Sequence, residues 1–166
     1  MDNFLSTHLN KIDKKGRVSV PAPFRAALAA ALPADTAATG IVLYRALHHD
    51  ALEACSTQHL ELLSASLDNL NLPPETYELI ETTIFGGSMH LPFDPEGRVT
   101  VPEHFLQAVA IDDTVAFFGR RNTFQLWQPA KLNAFVDSQR TAAKAQDISL
   151  SKIIADARRL SLNGGM

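Results

Sequence analysis

The chain has 166 residues, 46% of them hydrophobic and 20% charged, with a formal net charge of −3. That length suits one domain or two small ones, and the composition is that of a folded protein. No apolar run approaches the roughly 18 residues a membrane span needs. The opening MDNFLSTHLNK lacks a basic segment followed by an apolar core, so no signal peptide is expected. The single cysteine, Cys55, excludes an internal disulfide and fits a reducing compartment such as the cytoplasm.

Taken in chain order, the first informative stretch is NKIDKKGRVSVPAPFR at 10–25. It gathers Lys11, Lys14, Lys15, Arg17 and Arg25 around one acid, Asp13. Residues 1–31 carry five basic and two acidic residues, a balance of +3, while the remaining residues carry ten and sixteen, a balance of −6. An overall acidic pI argues weakly against nucleic acid, but segregated charge outweighs the total. Asp13–Gly16 has the residues of a type I turn, Asp first and Gly last. Short strands should flank it, with Val18 and Val20 on one face and Arg17 and Ser19 on the other. Pro21 ends the second strand. Pro23 suits the start of a helix that presents Phe24, Ala27, Leu28 and Ala31 on one side.

GIVLYR at 40–45 follows as a β-type run. The segment 49–70 is expected to be a helix, striped by Leu52, Cys55, His59, Leu62, Leu63 and Leu67. Pro73 and Pro74 break it, and a shorter helix runs from there to Gly86-Gly87. Later, TVAFFGRRNTFQLW at 114–127 is again apolar and β-like. PAKLNAFVDSQRTAAKAQ and SLSKIIADARRLSL then make two amphipathic helices, striped by Leu132, Phe135 and Val136 and by Ile153, Ile154 and Leu160.

The second β region repeats the first. Shifted by 81 residues, 7–28 falls on 88–109 without a gap and with eight identities. Asp13, Gly16, Arg17, Val18, Val20, Pro21 and Phe24 meet Asp94, Gly97, Arg98, Val99, Val101, Pro102 and Phe105, and upstream Phe4 meets Phe85. Two copies of a module too small for a core of its own should pair with pseudo-two-fold symmetry. Yet the second copy has lost the charge. Pro92, Pro95, Glu96 and Leu106 stand where the first has Lys11, Lys14, Lys15 and Arg25.

The doubled Asp-x-x-Gly-Arg-Val-x-Val-Pro at this spacing, with NTFQLW near residue 125, closely resembles the MraZ family of the AbrB-like swapped-hairpin superfamily. The resemblance runs from Phe4 to about Gln128. It implies an α+β fold with a β-barrel core: two tandem AbrB-like swapped-hairpin modules in a pseudo-dimeric barrel with flanking helices. The expected division is 1–50 for the first module, 51–83 for connecting helices, 84–128 for the second module and 129–166 for C-terminal helices. The function implied is a sequence-specific DNA-binding transcriptional regulator, a repressor of the division and cell-wall gene cluster. It would bind short direct repeats in double-stranded DNA and self-associate into a ring-like homo-oligomer, cytoplasmic and nucleoid-associated.

The residues divide accordingly. Asp13, Gly16, Asp94, Gly97 and Arg98 recur in both copies and read as the structural motif. Lys11, Lys14, Lys15, Arg17 and Arg25 read as DNA-binding: lysines as point charges for phosphate, Arg17 as a fork able to read guanine. Arg17 also matches the DNA-contacting position of the family. Arg25 could instead pair with an acid, and the three lysines could serve only to protect an edge strand. Arg120 and Arg121 read as a solvated turn. The six histidines show no metal-ligand spacing, so neither metal nor cofactor is expected. Cys55 lacks an electropositive neighbourhood that would make it a nucleophile. Two other readings stand beside the DNA-binding one. One is a protein-binding assembly or antitoxin-like module that uses the apolar helices. The other, an enzyme with Asp94, Glu96 and a histidine as acid and base, has no recognisable motif behind it.

Overall fold

The computed structural model describes residues 3–165. Met1 and Asp2, which open the segment assessed above for a targeting signal, lie outside the described residues, as does Met166. The chain forms two units, one ending at Leu132 and one beginning at Asn133.

The first unit is a mixed α+β structure built on antiparallel sheet. Strands β1 (Thr7–Lys11) and β2 (Arg17–Ser19) flank the first turn. Helix α1 (Ala22–Ala30) follows, then β3 (Gly40–Arg45), β4 (Leu52–Cys55) and helix α2 (Thr57–Asp68). Helix α3 (Pro74–Ile80) continues as a π-helical turn over Glu81–Phe85. The second copy supplies β5 (Met89–Pro92), β6 (Arg98–Thr100), α4 (Glu103–Ala108), β7 (Thr114–Gly119) and β8 (Phe124–Trp127). Helix α5 (Pro129–Gln146) begins at the end of this unit, and α6 (Leu150–Asn163) lies in the second.

Six strands form one sheet in the order β1-β7-β8-β4-β3-β5, and β2 pairs with β6 in a separate ribbon. Exchanging the two copies reverses that order onto itself. The leading strand of each copy hydrogen-bonds to the other copy: β1 to β7 and β5 to β3. The registers obey the same symmetry, Asn10 facing Val115 as Leu91 faces Ile41. Val18 stands opposite Val99 in the ribbon and Leu52 opposite Leu126 in the sheet, each facing its own repeat equivalent. A pseudo-two-fold axis therefore passes through both pairs.

The period-2 pattern explains what is buried. Val18, Val20, Val99 and Val101 are each 1% exposed and pack with Phe24, Leu28 and Phe105 beneath the sheet. Phe24 meets Phe4 edge-on at 5.5 Å, and Phe124 at 4.9 Å, so an aromatic cluster joins the start of the first copy to the end of the second. Ala31 falls outside the expected α1 stripe. It is the C-cap residue and is exposed.

The helix expected over 49–70 is corrected at its N-terminal third. Leu52–Cys55 is strand β4, and the helix starts at Thr57 with Ser56 as its cap, Ser56 Oγ accepting from His59 N at 3.0 Å. Leu52 and Cys55 are fully buried in the sheet, not on a helix stripe. Leu62, by contrast, is 67% exposed, and no residue of α2 is buried. Tertiary pairing with β8 decided the segment. Local periodicity could not separate a four-residue strand from the start of a helix. The α6 residues Ile153, Ile154 and Leu160 do form the expected stripe, and all three are exposed.

Leu52→Ala removes a fully buried side chain at the axis, where both copies close on it. It should cost about 3 kcal/mol and lower the thermal midpoint by several degrees. Calorimetry on the parent and variant measures this.

Candidate nucleic-acid interface

The repeated Asp-x-x-Gly folds both turns in one way. Gly16 N donates to Asp13 O at 3.0 Å and Gly97 N to Asp94 O at 3.0 Å, closing a type I turn. The glycines then take φ of +82° and +76°, and Asp13 N and Asp94 N donate to Arg17 O and Arg98 O. This is the three-residue hairpin loop that ends in a left-handed residue, which is why glycine is required there.

The aspartates lock the turns. Asp13 Oδ1 accepts from Lys15 N and Arg17 N, both at 2.9 Å, while Oδ2 accepts from Arg17 Nε at 2.7 Å. Asp94 repeats this with Glu96 N, Arg98 N and Arg98 Nε at the same distances. Hydrogen bonds from the backbone N–H groups, those of Arg17 and Arg98 first, hold both carboxyls below the usual aspartate range. The Asp94 side-chain bond in turn keeps Arg98 more firmly protonated.

Pairing through Nε fixes each guanidinium by its inner edge. Arg17 keeps 38% of its side chain exposed, and its bond to Asp13 is made through Nε. Because Val18 and Val99 face inward, Arg17, Ser19, Arg98 and Thr100 share the outer face of the β2–β6 ribbon. Arg17 lies opposite Thr100 and Arg98 opposite Ser19, so the two arginines sit diagonally across one small surface. The aspartate–arginine geometry is thus common to both halves. What differs is the surrounding charge.

Lys14 and Lys15 project from the first turn and are exposed. Lys11 is exposed at the end of β1, an edge strand of the six-stranded sheet. The second turn carries Pro95 and Glu96 instead, and Glu96 Oε2 lies 3.5 Å from Arg98 Nε, adding a second acid to that arginine. Arg25 is placed differently from the other cations. Its Nε donates to Val20 O at 3.1 Å, and its guanidinium lies against Gly97 of the second turn. The structure therefore brings Lys14, Lys15 and Arg17 together on one turn, sets Lys11 at the base of the strand leading into it, and sends Arg25 across to the other repeat.

A polar network missed in the sequence closes the far end of the β4–β8 pair. Gln125 is 1% exposed. Its Nε2 donates to Glu53 Oε2 at 2.7 Å, its Oε1 accepts from Trp127 Nε1 at 2.9 Å, and Thr123 Oγ1 also donates to Glu53. A buried amide satisfied on both sides is a structural device. The only sequence signal was Gln125 set between the apolar Phe124 and Leu126, and its partner Glu53 lay in the segment read as helix. Cys55 is buried, and that burial pushes its thiol up to about 12. Among the described residues no group of three or more His, Cys, Asp or Glu side chains could hold a metal ion, and no helix is long and apolar enough to cross a membrane.

Comparison with known proteins gives the family. The family model of the MraZ protein, described as antitoxin-like, matches residues 84–152. The transcriptional regulator MraZ of Pelagibacter ubique (strain HTCC1062) is 40% identical over 147 residues, covering 89% of this chain and 92% of that protein. The transcriptional regulator MraZ of Rickettsia bellii (strain OSU 85-389) is 38% identical over 151 residues, covering 90% and 97%. That of Rickettsia canadensis (strain McKiel) is 35% identical over 150 residues with the same coverage. The chain belongs to the MraZ family. The sequence resemblance rested on the doubled motif and NTFQLW, from Phe4 to about Gln128. The family match lies over the second copy and the helix after it, while the MraZ relatives span nearly the whole chain.

Two predictions follow from the turn geometry of this MraZ-family chain. A Cβ on Gly16 would stand 2.5 Å from Val101 O, a backbone atom that cannot yield, whereas one on Gly97 would meet the mobile end of Arg25. Gly16→Ala should therefore destabilise by about 1–3 kcal/mol, and more than Gly97→Ala, in urea melts of both variants. The depressed Asp13 and Asp94 carboxyls stabilise the fold fully above the unfolded aspartate pKa of about 3.9, and that contribution is lost as pH falls through their lower native values. The thermal midpoint of the parent should thus fall more steeply below pH 4 than that of the Asp13→Asn/Asp94→Asn variant. Parallel curves for the two would show that these carboxylates are not what acid titrates.

Proposed function

We propose that the chain is a sequence-specific DNA-binding transcriptional regulator that grips DNA through the turn of its first repeat. The observation that carries this is the contrast between two turns of one geometry. The Asp13–Arg17 turn exposes Lys14 and Lys15 beside a guanidinium, and the Asp94–Arg98 turn exposes Pro95 and Glu96. A two-stranded ribbon is narrow enough to enter the major groove. Arg17, held by Asp13 through Nε, offers its terminal nitrogens to a guanine edge, while Lys11, Lys14 and Lys15 neutralise phosphates on either side. Arg25 contributes to the field from behind, its Nε being committed to Val20 O.

The family supports the rest of this reading. The named relatives are transcriptional regulators. The target is the operator of the division and cell-wall gene cluster, bound as short direct repeats and repressed by occlusion, on the nucleoid in the cytoplasm. The reciprocal exchange of β1 and β5 between copies is what a swapped-hairpin barrel of AbrB-like modules requires, with modules at 1–50 and 84–128, connecting helices at 51–83 and C-terminal helices at 129–166. One turn with four or five cations binds weakly. A ring of chains presenting successive turns to successive repeats gains its affinity through avidity.

The placement of Arg98 on the same ribbon face as Arg17 favours a second version, in which both arginines touch DNA. In the first version Arg98 only holds its turn. Gel shifts on an operator repeat, paired with thermal melts, separate them. Under the first version, Arg17→Ala abolishes specific binding in a folded protein while Arg98→Ala lowers the melting temperature. Equal loss of binding by two well-folded variants selects the second version. Lys14→Ala/Lys15→Ala should weaken binding to all sequences and reduce the salt slope by about 0.9 for each phosphate contact removed. A salt slope that does not change would refute phosphate contact by this turn.

A further inference from the structure

The two halves differ at one more place, and the difference leaves a cavity. Arg25 Nε donates to Val20 O, and a Cβ on Gly97 would stand 2.5 Å from Arg25 Nη1 and 2.8 Å from its Cζ. The second turn is therefore covered by a guanidinium. Under the 81-residue repeat, Val20, Gly97 and Arg25 correspond to Val101, Gly16 and Leu106. Leu106 is shorter and bears no donor, so nothing from that position reaches Val101 O. In place of the guanidinium there is an open groove of about 610 Å³, lined by Gly16, Val101, Leu106, Glu103, Asp112 and Asp113 among others.

The charge of the groove suits the missing group. Glu103, Asp112 and Asp113 are exposed carboxylates that form no salt bridge among the described residues. They outnumber Lys14 and Lys15 at the opposite rim. Gly16 and Val101 both line the groove, and a Cβ on Gly16 would crowd Val101 O at 2.5 Å. The half-buried Leu106 packs against the core and gives an apolar wall for a methylene stem.

We propose that this groove is a binding site for an alkylguanidinium, the chemistry of an arginine side chain. The headgroup takes the place that Arg25 holds in the other half: an N–H donated to Val101 O, the plane laid over Gly16, and the charge facing Asp112 and Asp113. An ammonium of equal length fits less well. It is a compact, strongly hydrated charge with no planar face to lay on the turn. The site does not depend on the DNA-binding reading. The guanidinium can be carried by a free small molecule or by an arginine of a neighbouring copy of this chain.

The test is a titration of the full-length protein with N-butylguanidinium and, separately, pentylammonium, followed by amide NMR. Saturable shifts at Gly16, Val101 and Asp112 are expected with the first, and affinity about fivefold weaker with the second, as the loss of one hydrogen bond implies. Leu106→Arg should fill the groove in cis, melt no lower than the parent and lose the response. Asp112→Asn/Asp113→Asn should weaken binding whether or not the arginine variant folds. No saturable shift at these amides, a response unchanged in a folded Leu106→Arg, or equal affinity for the ammonium would overturn the proposal. Sedimentation at saturating guanidinium identifies the source. A smaller assembly means that a neighbour's arginine occupies the groove, and an unchanged one means a free ligand does.

Discussion

A reciprocal pair of hydrogen bonds ties each turn to the other repeat: Val20 N donates to Gly97 O, and Val101 N donates to Gly16 O. Each glycine has left-handed backbone, and each donor follows the end of the other copy's ribbon strand. The ribbon between them is three residues long on either side, too short to persist alone. It persists because Val18 and Val99 meet beneath it and because β1 and β5 have crossed to the opposite copies. Within one copy only β3 pairs with β4, or β7 with β8, and every other pairing of named strands joins the two copies. The turn that would face DNA is therefore held by both halves. It hangs from two strands and a hydrogen bond belonging to the other half.

That dependence explains which parts of the fold the sequence disclosed. The turns, the inward valines, the strand-ending prolines and the helix starts are local, and each is written in residues that few other conformations favour. The repeat disclosed the symmetry. What stayed hidden was β4. Leu52–Cys55 is only four residues long, and its apolar positions fit the start of a helix equally well. The repeat offset also changes there, from 81 residues at the turns to 74 at β3 and β7, because α1 and the connection after it are longer than α4 and its connection. Followed at the new offset, Leu52 falls on Leu126 of the second copy's strand, and the missing strand becomes visible. For the same reason Glu53 could not be matched with Gln125, its partner across that pair.

The candidate site was legible as composition but not as geometry. Five cations in sixteen residues stood out at once, yet nothing local distinguished the four around the first turn from Arg25, which crosses to the second. Arg98 had the converse fate. Its recurrence without a basic neighbourhood marked it as structural, but it bonds to Asp94 just as Arg17 bonds to Asp13, and strand pairing sets it on the same face as Arg17. Face-sharing between strands 81 residues apart is a property of register, which depends on burial across the whole core.

The two halves have diverged where the fold leaves them free to. Asp13 and Asp94 must accept the same backbone donors, and Gly16 and Gly97 must take the same φ, so these positions match. Residues 14 and 15 lie between them, their side chains in solvent and their backbone shape already fixed, so Lys-Lys and Pro-Glu are equally compatible with the turn. Position 25 and its counterpart 106 are compatible with an arginine reaching over a glycine or with a leucine resting on the core. None of these choices touches the valines at the axis. A duplicated module whose stability is carried by shared, inward residues can therefore change the charge of one outer face and the contents of one groove independently. The first half can then be given to a polyanion while the second keeps the geometry that holds it.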